Sequence, residues 1–214
     1  MSAEVDKNAL RQALVQRYGE DITDRLERST VAVCGLGGLG SNIAVSLARG
    51  GVGRLILIDC DRVDISNLHR QQYKVRQIGM LKTEALSENL REIMPYTDIV
   101  THNVRLTQEN VCGYINEADV VCEAFDSAEC KAMLINTVSE KMPGKYIVSA
   151  SGMAGFGKPD DIKTRRVTER FYLCGDGVSD VESEKTLVSA RVALCAAHQA
   201  QTVLRILAGF EDRA

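Results

Sequence analysis

The sequence predicts an α/β fold of the Rossmann-like, doubly wound type, in which helices cover both faces of a mostly parallel sheet. Short apolar runs alternate along the chain with segments of helical periodicity. These runs contain almost no polar residues, which is typical of strands that are buried on both faces. A glycine-rich turn over residues 35–40 joins the first such run to a helix, as at the first strand–helix turn of doubly wound folds.

The periodicity assigns each element in order. Apolar residues at every fourth position predict an amphipathic helix or helix pair before residue 30: Leu10, Leu14, Tyr18, Ile22 and Leu26. Strands are predicted at 31–34, 55–58, 98–104, 119–124 and 146–150, and helices over 41–50, 82–93 and 128–141. Beyond Ser151 we expect a flexible glycine-rich segment, a polar strand at 161–168, a polar loop at 174–185 and a helix over 187–208.

These elements predict a single domain in three parts. The parts are an N-terminal helical segment (1–30), a Rossmann-like core (31–150) that contains the glycine-rich turn, and a stretch (151–214) in which a crossover loop, a polar strand and a last helix complete the same domain. A length of 214 residues fits one domain, since domains usually have about 100–200 residues.

Composition narrows the functional classes. A net charge of −3 disfavours general binding to nucleic acid, and no apolar run approaches the ~18 residues of a membrane span. The first residues lack the basic flank and apolar core of a secretory signal. The seven cysteines contain no Cys-x-x-Cys pair, and most lie in apolar runs. We therefore expect a cytoplasmic protein with reduced thiols, without disulfides and without zinc.

The glycine-rich turn predicts a nucleotide site. Glycine lets the backbone approach a phosphate, and the helix that follows offers free N–H groups. The glycines of this turn are Gly35, Gly37, Gly38 and Gly40. Asp59, 24 residues after Gly35, is placed to hold a ribose hydroxyl. The alternative is a tight turn with a structural role only.

Cations beside these glycines favour a triphosphate over a dinucleotide. Asn67 and Arg70 share one face of a helical turn, and Lys82 opens the next helix. Arg70 and Lys82 would neutralise a departing pyrophosphate, unless they are solvated surface charges. Asp126 follows the fourth strand, where it is either a magnesium ligand or the N-cap of the next helix.

Taken together, these motifs resemble the ThiF/MoeB/HesA family, bacterial relatives of the ubiquitin-activating enzymes. The resemblance covers roughly residues 10–155 and rests on the set Gly35–Gly40, Asp59-x-Asp61, Asn67–Gln71, Lys82 and Asp126. The segment from Arg170 to Asp176 and the alanine-rich last helix are similar to the short ThiF-type subgroup of thiamine biosynthesis.

The resemblance implies a reaction and its participants. ATP would react with the C-terminal glycine carboxylate of a ubiquitin-like sulfur carrier ending in Gly-Gly, of the ThiS kind, to give an acyl-adenylate and pyrophosphate. Matched positions assign the ribose to Asp59, the phosphates to Asn67, Arg70 and Lys82, and Mg²⁺ to Asp126; Asp61 belongs to the same nucleotide set. The family also implies a homodimer in which Arg11 or Arg17 enters the partner's site, and a possible complex with a thiazole-forming enzyme.

Cys174 is the second catalytic hypothesis. It lies in a segment flanked by glycine and aspartate, so we expect it to be exposed, and a thiolate there would attack an acyl-adenylate. The acidic residues nearby would raise the pKa of its thiol, which favours a structural role. We expect His69 to be scaffolding and His198 to be a hydrogen-bonded core residue.

Three rival functions share this fold. An NAD-dependent oxidoreductase would use the glycines and Asp59 but leave Arg70, Lys82 and Asp126 without a role. A non-catalytic scaffold for a ubiquitin-like partner would not need the full nucleotide set. Within the same class, the carboxylate would belong to a molybdopterin-type carrier or be linked to tRNA.

Overall fold

Residues 6–210 are described by a computed structural model, apart from the side chain of Glu182. The strands are β1 (Thr30–Cys34), β2 (Arg54–Asp59), β3 (Asp98–Asn103), β4 (Val120–Glu123), β5 (Tyr146–Ala150), β6 (Lys163–Thr168) and β7 (Phe171–Gly175). The α-helices are α1 (Lys7–Tyr18), α2 (Glu20–Arg28), α3 (Gly38–Arg49), α4 (Lys82–Ile93), α5 (Val111–Tyr114), α6 (Ala128–Lys141), α7 (Val181–Glu184) and α8 (Ser189–Leu207).

The strands form one sheet in the order β3-β2-β1-β4-β5-β7-β6. All neighbours are parallel except β6 and β7, which are antiparallel. The chain proceeds from β1 outward to β3 and then returns to place β4 on the other side of β1. The topological switch point, where open α/β sheets bind ligands, therefore lies between the carboxyl ends of β1 and β4. The predicted Rossmann-like fold is confirmed.

Both faces of the sheet are covered, which explains the uninterrupted apolar strands. Val31 and Val33 belong to a buried cluster with residues of α3, α4 and α8. Ala32 and Cys34 point the other way, into a second cluster with residues of α5 and α6. No helix within residues 6–210 is long and apolar enough to span a bilayer.

The N-terminal helix pair is present, with Gly19 between α1 and α2. The flanking stretches 1–5 and 211–214, which the predicted first and last parts of the domain include, lie outside the described residues.

The predicted polar loop over 174–185 is confirmed for residues 176–180 and is wrong on both sides of them. Cys174 lies inside β7, and α7 occupies residues 181–184 of the same stretch. β7 forms because it pairs in parallel with β5, with Ile147 opposite Phe171 and Ala150 opposite Cys174. Such a pairing depends on residues far apart in sequence, so local polarity did not reveal it. The predicted polar strand before it is confirmed as β6.

Candidate functional site

The glycine turn lies directly on the ends of the central strands. Gly35 has φ +90°, and a Cβ atom there would lie 2.8 Å from the carbonyl oxygen of Ala124, just after β4. A Cβ atom on Gly40 would lie 1.8 Å from the carbonyl oxygen of Gly35. Only glycine at these two positions therefore allows α3 to begin this close to β1, with its free N–H groups at the switch point.

Gly37 differs from its neighbours in the turn. It is the N-cap of α3, with φ −74°, and its carbonyl accepts the Ser41 hydroxyl at 2.7 Å. An added Cβ atom would have one neighbour within 4 Å, Gln71 Nε2 at 3.9 Å. Unlike Gly35 and Gly40, Gly37 is therefore not crowded by other residues of the range 6–210. Its predicted role in nucleotide binding stays a prediction, which depends on the bound phosphate alone.

Asp59 links the end of β2 to this turn. Its Oδ2 accepts a hydrogen bond from the Leu36 amide at 2.6 Å, and its Oδ1 accepts one from the Asp61 amide at 2.8 Å. Tyr73, which no sequence pattern had singled out, donates its hydroxyl to the Leu36 carbonyl at 2.7 Å. Burial raises the pKa of Tyr73, and the charges of Asp59 and Asp61 add to this effect, so the hydroxyl stays a donor.

Lys82 and Asp61 form an ion pair at the start of α4. Lys82 Nζ lies 2.8 Å from Asp61 Oδ2, and the two side chains are 8% and 64% exposed. A lysine this buried is not a solvated surface charge, so that alternative is excluded for Lys82. Asp59, Cys60 and Asp61 bring potential ligand atoms within 4.8 Å of one another, but both carboxylates already have partners here.

Arg70 lies against the glycine turn. A Cβ atom on Gly38 would lie 3.6 Å from Arg70 Cγ, and Arg70 Nη1 donates to the Ser66 carbonyl at 2.9 Å. Asn42 of α3 donates to the Arg70 carbonyl at 3.2 Å, which ties this loop to the first turns of the helix. His69 is exposed beside Arg70, with its ring nitrogens 3.4 and 3.5 Å from Nη1.

Asn67 supports the same loop. Its Oδ1 accepts the Asp64 amide at 3.1 Å, so in this structure the side chain caps a short 3-10 turn. A buried Gln77 then fastens the loop to α4: Nε2 donates to the Ala85 carbonyl at 2.9 Å, and Oε1 accepts the Lys74 amide at 3.0 Å. Sequence reasoning missed Gln77, because a single glutamine in a polar loop has no distinguishing pattern.

Asp126 is exposed just beyond β4. The N-cap of α6 is Ser127, whose hydroxyl accepts the Cys130 amide at 3.3 Å, so the N-cap hypothesis for Asp126 is wrong. Within residues 6–210 the Asp126 carboxylate has no hydrogen-bond partner. It thus remains available as an oxygen ligand at the switch point.

The two N-terminal arginines differ in their surroundings. Arg11 binds three carboxylates of α2: Glu20 at 2.6 Å, Glu27 at 3.0 Å and Asp24. The hydrogen bonds that Arg11 donates to Glu20, Glu27 and Asp24 raise the pKa of Arg11. Arg17 is exposed, and no ion pair holds it within residues 6–210. Arg11 is therefore committed within its own chain, whereas Arg17 is not.

Cys174 is buried, which contradicts the expected exposure. Its Sγ lies 3.5 Å from Thr164 Oγ1, and burial raises the pKa of the thiol. Thr164 also lies 3.0 Å from Nδ1 of His198, a half-buried, hydrogen-bonded residue of α8. A buried thiol with a raised pKa favours the structural role over a nucleophilic one.

A cavity of about 630 Å³ lies on the other side of the switch point, between the 151–162 segment, β6, β7 and the start of α8. Arg191 and Asp176 meet there at 2.6 Å, each with a side chain 6% exposed, and Arg191 also donates to the Lys158 carbonyl at 2.8 Å. Burial alone would raise the pKa of Asp176, but the amides of Ser179 and Val178, with Arg191, lower it to about 2. Arg191 therefore ties the 151–162 segment, which we call the crossover segment, to the start of α8.

Comparison with known proteins agrees with this geometry. The model of the ThiF family matches residues 9–214. The chain is 36% identical over 160 residues to adenylyltransferase and sulfurtransferase UBA4 of Lodderomyces elongisporus, which covers 74% of this chain and 35% of that protein. It is 35% identical over 125 residues to adenylyltransferase and sulfurtransferase MOCS3 of Aedes aegypti, covering 58% and 29%. The chain spans about a third of the length of these relatives.

Solved structures share the fold. Escherichia coli tRNA N6-threonylcarbamoyladenosine dehydratase, TcdA, in complex with ATP has a TM-score of 0.86 and 22% identity, covering 96% of this chain and 97% of that one. E. coli MccB with ATP has a TM-score of 0.72 and 21% identity, covering 98% and 66%. The family match extends the resemblance beyond residue 155 to the crossover segment and α8. The chain belongs to the ThiF family.

Proposed function

We propose that this protein adenylates a carboxylate with ATP and releases pyrophosphate. The observation that carries the proposal is a pair of cationic side chains near the glycine turn at the switch point of the sheet. Arg70 packs against Gly38, and Lys82 pairs with Asp61. The Asp61 amide in turn donates to Asp59, which accepts the Leu36 amide of the turn. Relatives that are 35–36% identical to the chain are named adenylyltransferases, which supports the same chemistry.

The reaction needs orientation more than proton transfer. A carboxylate is already anionic at neutral pH, so attack on the α-phosphate requires no general base. The barrier comes from bringing two anions together and from charge on the departing pyrophosphate. The amides at the start of α3 would bind phosphate oxygens, and Arg70 and Lys82 would neutralise the leaving group. Asp59 would hold the ribose, at the end of the strand next to the turn.

The residues present suit a magnesium ion. Mg²⁺ prefers oxygen ligands, usually one or two carboxylates together with substrate phosphates. Asp126 offers an exposed carboxylate without another partner in the described chain, at the carboxyl end of β4. When bound, the ion would neutralise part of the negative charge of the phosphate groups.

The NAD-dependent alternative explains less. A hydride-transfer enzyme has no use for a buried lysine and an arginine packed on the glycine turn, and no relative reported above is named as an oxidoreductase. The scaffold alternative would not require these cations either.

The carboxylate that is adenylated belongs either to a carrier protein or to a group linked to tRNA. The thiamine carrier expected from the C-terminal segment has no support among these relatives. The tRNA-linked carboxylate is better supported, because TcdA, a tRNA dehydratase by name, matches the chain over nearly its whole length. A net charge of −3 gives no general attraction to tRNA, so binding would depend on local cations such as Lys163, Arg165 and Arg166 of β6. A Gly-Gly carrier remains the second candidate, because UBA4 and MOCS3 are also named as sulfurtransferases.

We also propose a homodimer in which Arg17, rather than Arg11, reaches the partner's nucleotide. Arg11 would have to give up three carboxylates to do so. If the proposal is right, Arg17→Ala lowers activity while Arg17→Lys retains part of it, and mixing Arg17→Ala with Arg70→Ala chains restores one working site per dimer.

ATP–pyrophosphate exchange with Mg²⁺ tests the function directly. One arm contains threonylcarbamoyl-bearing tRNA from the same organism, a second contains a Gly-Gly carrier, and a third contains neither. Exchange in the first or second arm identifies the substrate class. ATP binding without exchange in any arm would point to a different carboxylate, whereas NAD binding without ATP binding would overturn the proposal.

A further inference from the structure

A fully buried glutamate lies at the carboxyl end of β4, three residues before Asp126. The Glu123 side chain is 0% exposed. Its Oε1 accepts the Phe125 amide at 2.7 Å, while its Oε2 accepts Lys131 Nζ at 2.6 Å and Ser149 Oγ at 2.5 Å. A buried carboxylate is tolerated only when it is paired and hydrogen-bonded, as this one is.

These contacts fix the backbone next to Asp126. Lys131 Nζ also donates to the Phe125 carbonyl at 3.3 Å, so both backbone groups of Phe125 are held by the same pair of side chains. Ser127, on the other side of Asp126, caps α6. The Asp126 carboxylate is left free while the chain on either side of it is held in place.

The polar cluster is confined to the ligand end of the strand. The rest of β4 is Val120, Val121 and Cys122, all fully buried, and apolar packing suffices there. Replacing a buried ion pair by apolar residues is often neutral or stabilising, so stability alone does not account for Glu123 and Lys131. A satisfied polar network instead fixes one geometry. The turn that it fixes includes Ala124, whose carbonyl oxygen lies close to Gly35.

We propose that Glu123, Lys131 and Ser149 are positioning residues that hold the β4–α6 turn so that Asp126 meets a nucleotide-bound metal ion. The inference rests on the proposed function, because it assumes that Asp126 is a metal ligand. Groups behind a metal ligand typically change metal affinity by about 10–100-fold when they are removed.

The test uses Mn²⁺ as a paramagnetic probe, with its affinity for the full-chain protein–ATP complex measured by electron paramagnetic resonance. ATP affinity in EDTA, measured by calorimetry, is the second readout. We expect Lys131→Met to weaken Mn²⁺ binding about tenfold and to leave metal-free ATP affinity within about twofold. Lys131→Arg, which keeps the cation and its donors, should restore most of the Mn²⁺ affinity. Lys141→Met, on the same helix, should change neither quantity.

A single substitution that leaves Glu123 unpaired risks misfolding. The double variant Glu123→Leu with Lys131→Met removes both charges and keeps the site apolar, so it should fold, as near-ultraviolet circular dichroism would report, and still bind Mn²⁺ about tenfold more weakly.

The variant Asp126→Asn distinguishes a failure of the positioning inference from a failure of the proposed metal role of Asp126. If it weakens Mn²⁺ binding while the Lys131→Met and double variants do not, the positioning inference is overturned and the metal role stands. If none of these variants affects Mn²⁺, the metal role of Asp126 falls as well. Equal loss of metal-free ATP binding in the Lys131→Met and double variants would overturn the inference in favour of a general structural role.

Discussion

The carboxyl edge of the sheet has two halves that are built differently. The half around β1, β2 and β4 fixes its polar side chains against backbone groups: Asp59 binds the Leu36 amide, and Tyr73 binds the Leu36 carbonyl. The half around β5, β7 and β6 carries a glycine-rich segment and an open cavity, where the buried pair of Arg191 and Asp176 holds the segment in place.

This difference follows from what each half would bind under the proposed function. A nucleotide is a constant ligand, so a local motif of glycines, acids and cations can specify its site. The second substrate differs between relatives, and the surface that would receive it follows no local motif. Under the proposed function, we expect substrate identity to depend on the half around β5, β7 and β6, about which the sequence says least.

The half around β1, β2 and β4 is called the nucleotide half below. The largest effect on stability is expected where this half is packed most tightly. Gly40→Ala would place Cβ 1.8 Å from the Gly35 carbonyl oxygen, a backbone overlap that no side-chain rotation relieves. We expect a loss of stability on the order of 4 kcal/mol or more in urea unfolding. Gly113→Ala is the control, because nothing lies within 4 Å of its added Cβ. A Gly40→Ala protein with the wild-type midpoint would contradict the geometry of the turn.

Arg70→Ala tests the chemistry of the same half without disturbing its fold. We expect pyrophosphate exchange to fall by about 10²–10³-fold at saturating ATP, because a cation facing the leaving group is lost. Arg76→Ala, in the same loop but paired with Glu88 and Glu92, should keep the wild-type rate. Equal rates in the two variants would mean that Arg70 is a surface charge.

The variant Asp176→Asn tests the half around β5, β7 and β6, called the crossover half, through the pH dependence of stability. The pKa of Asp176 is lowered from 3.8 to about 2 in the folded protein, so its contribution to stability is present above about pH 4 and is lost as the pH falls towards 2. The stability difference between wild type and variant should shrink by about 2 kcal/mol over that range.

Nucleotide affinity serves as the control for Asp176→Asn, since Asp176 lies outside the nucleotide half. ATP binding by calorimetry should match the wild type at pH 7. A stability difference that is the same at pH 2.5 and pH 6 would show that the Asp176 carboxylate is not selectively stabilised by Arg191.

Cys174→Ser should have the smallest effect. The thiol is buried and burial raises its pKa, so exchange should stay within about twofold of wild type, and stability should fall by about 1 kcal/mol because a hydroxyl is more costly to bury. Sulfur transfer to a carrier, if the protein supports it, should also persist. Loss of transfer with normal exchange would restore Cys174 as a nucleophile and give the crossover half a catalytic role.

The same contrast explains what could be predicted from the sequence. The run Leu55–Ile58 predicts β2 because a buried parallel strand must be apolar on both faces, and Gly35 and Gly40 predict the turn because no other residue fits there. β7 was not predicted because Phe171–Cys174 is short and borders Gly175 and Asp176, and its pairing with β5 spans more than twenty residues of sequence.

The Glu123 network was missed for a related reason. An acid at the end of an apolar run is compatible with a strand that reaches solvent. Its burial depends on Lys131, which is eight residues away, and on Ser149, which lies on the neighbouring strand. Neither spacing belongs to a recognised pattern, so only the folded chain reveals that the three meet.

The last strand of the sheet has a consequence for how the protein behaves in concentrated solution. β6 is an edge strand, and all six of its residues are exposed. An unpaired edge invites another copy to add its own strand, and charged side chains are a common defence. Lys163, Arg165 and Arg166 place like charges along this edge, so two such edges repel each other. High ionic strength screens that repulsion, and edge-to-edge self-association of this protein should therefore increase with salt.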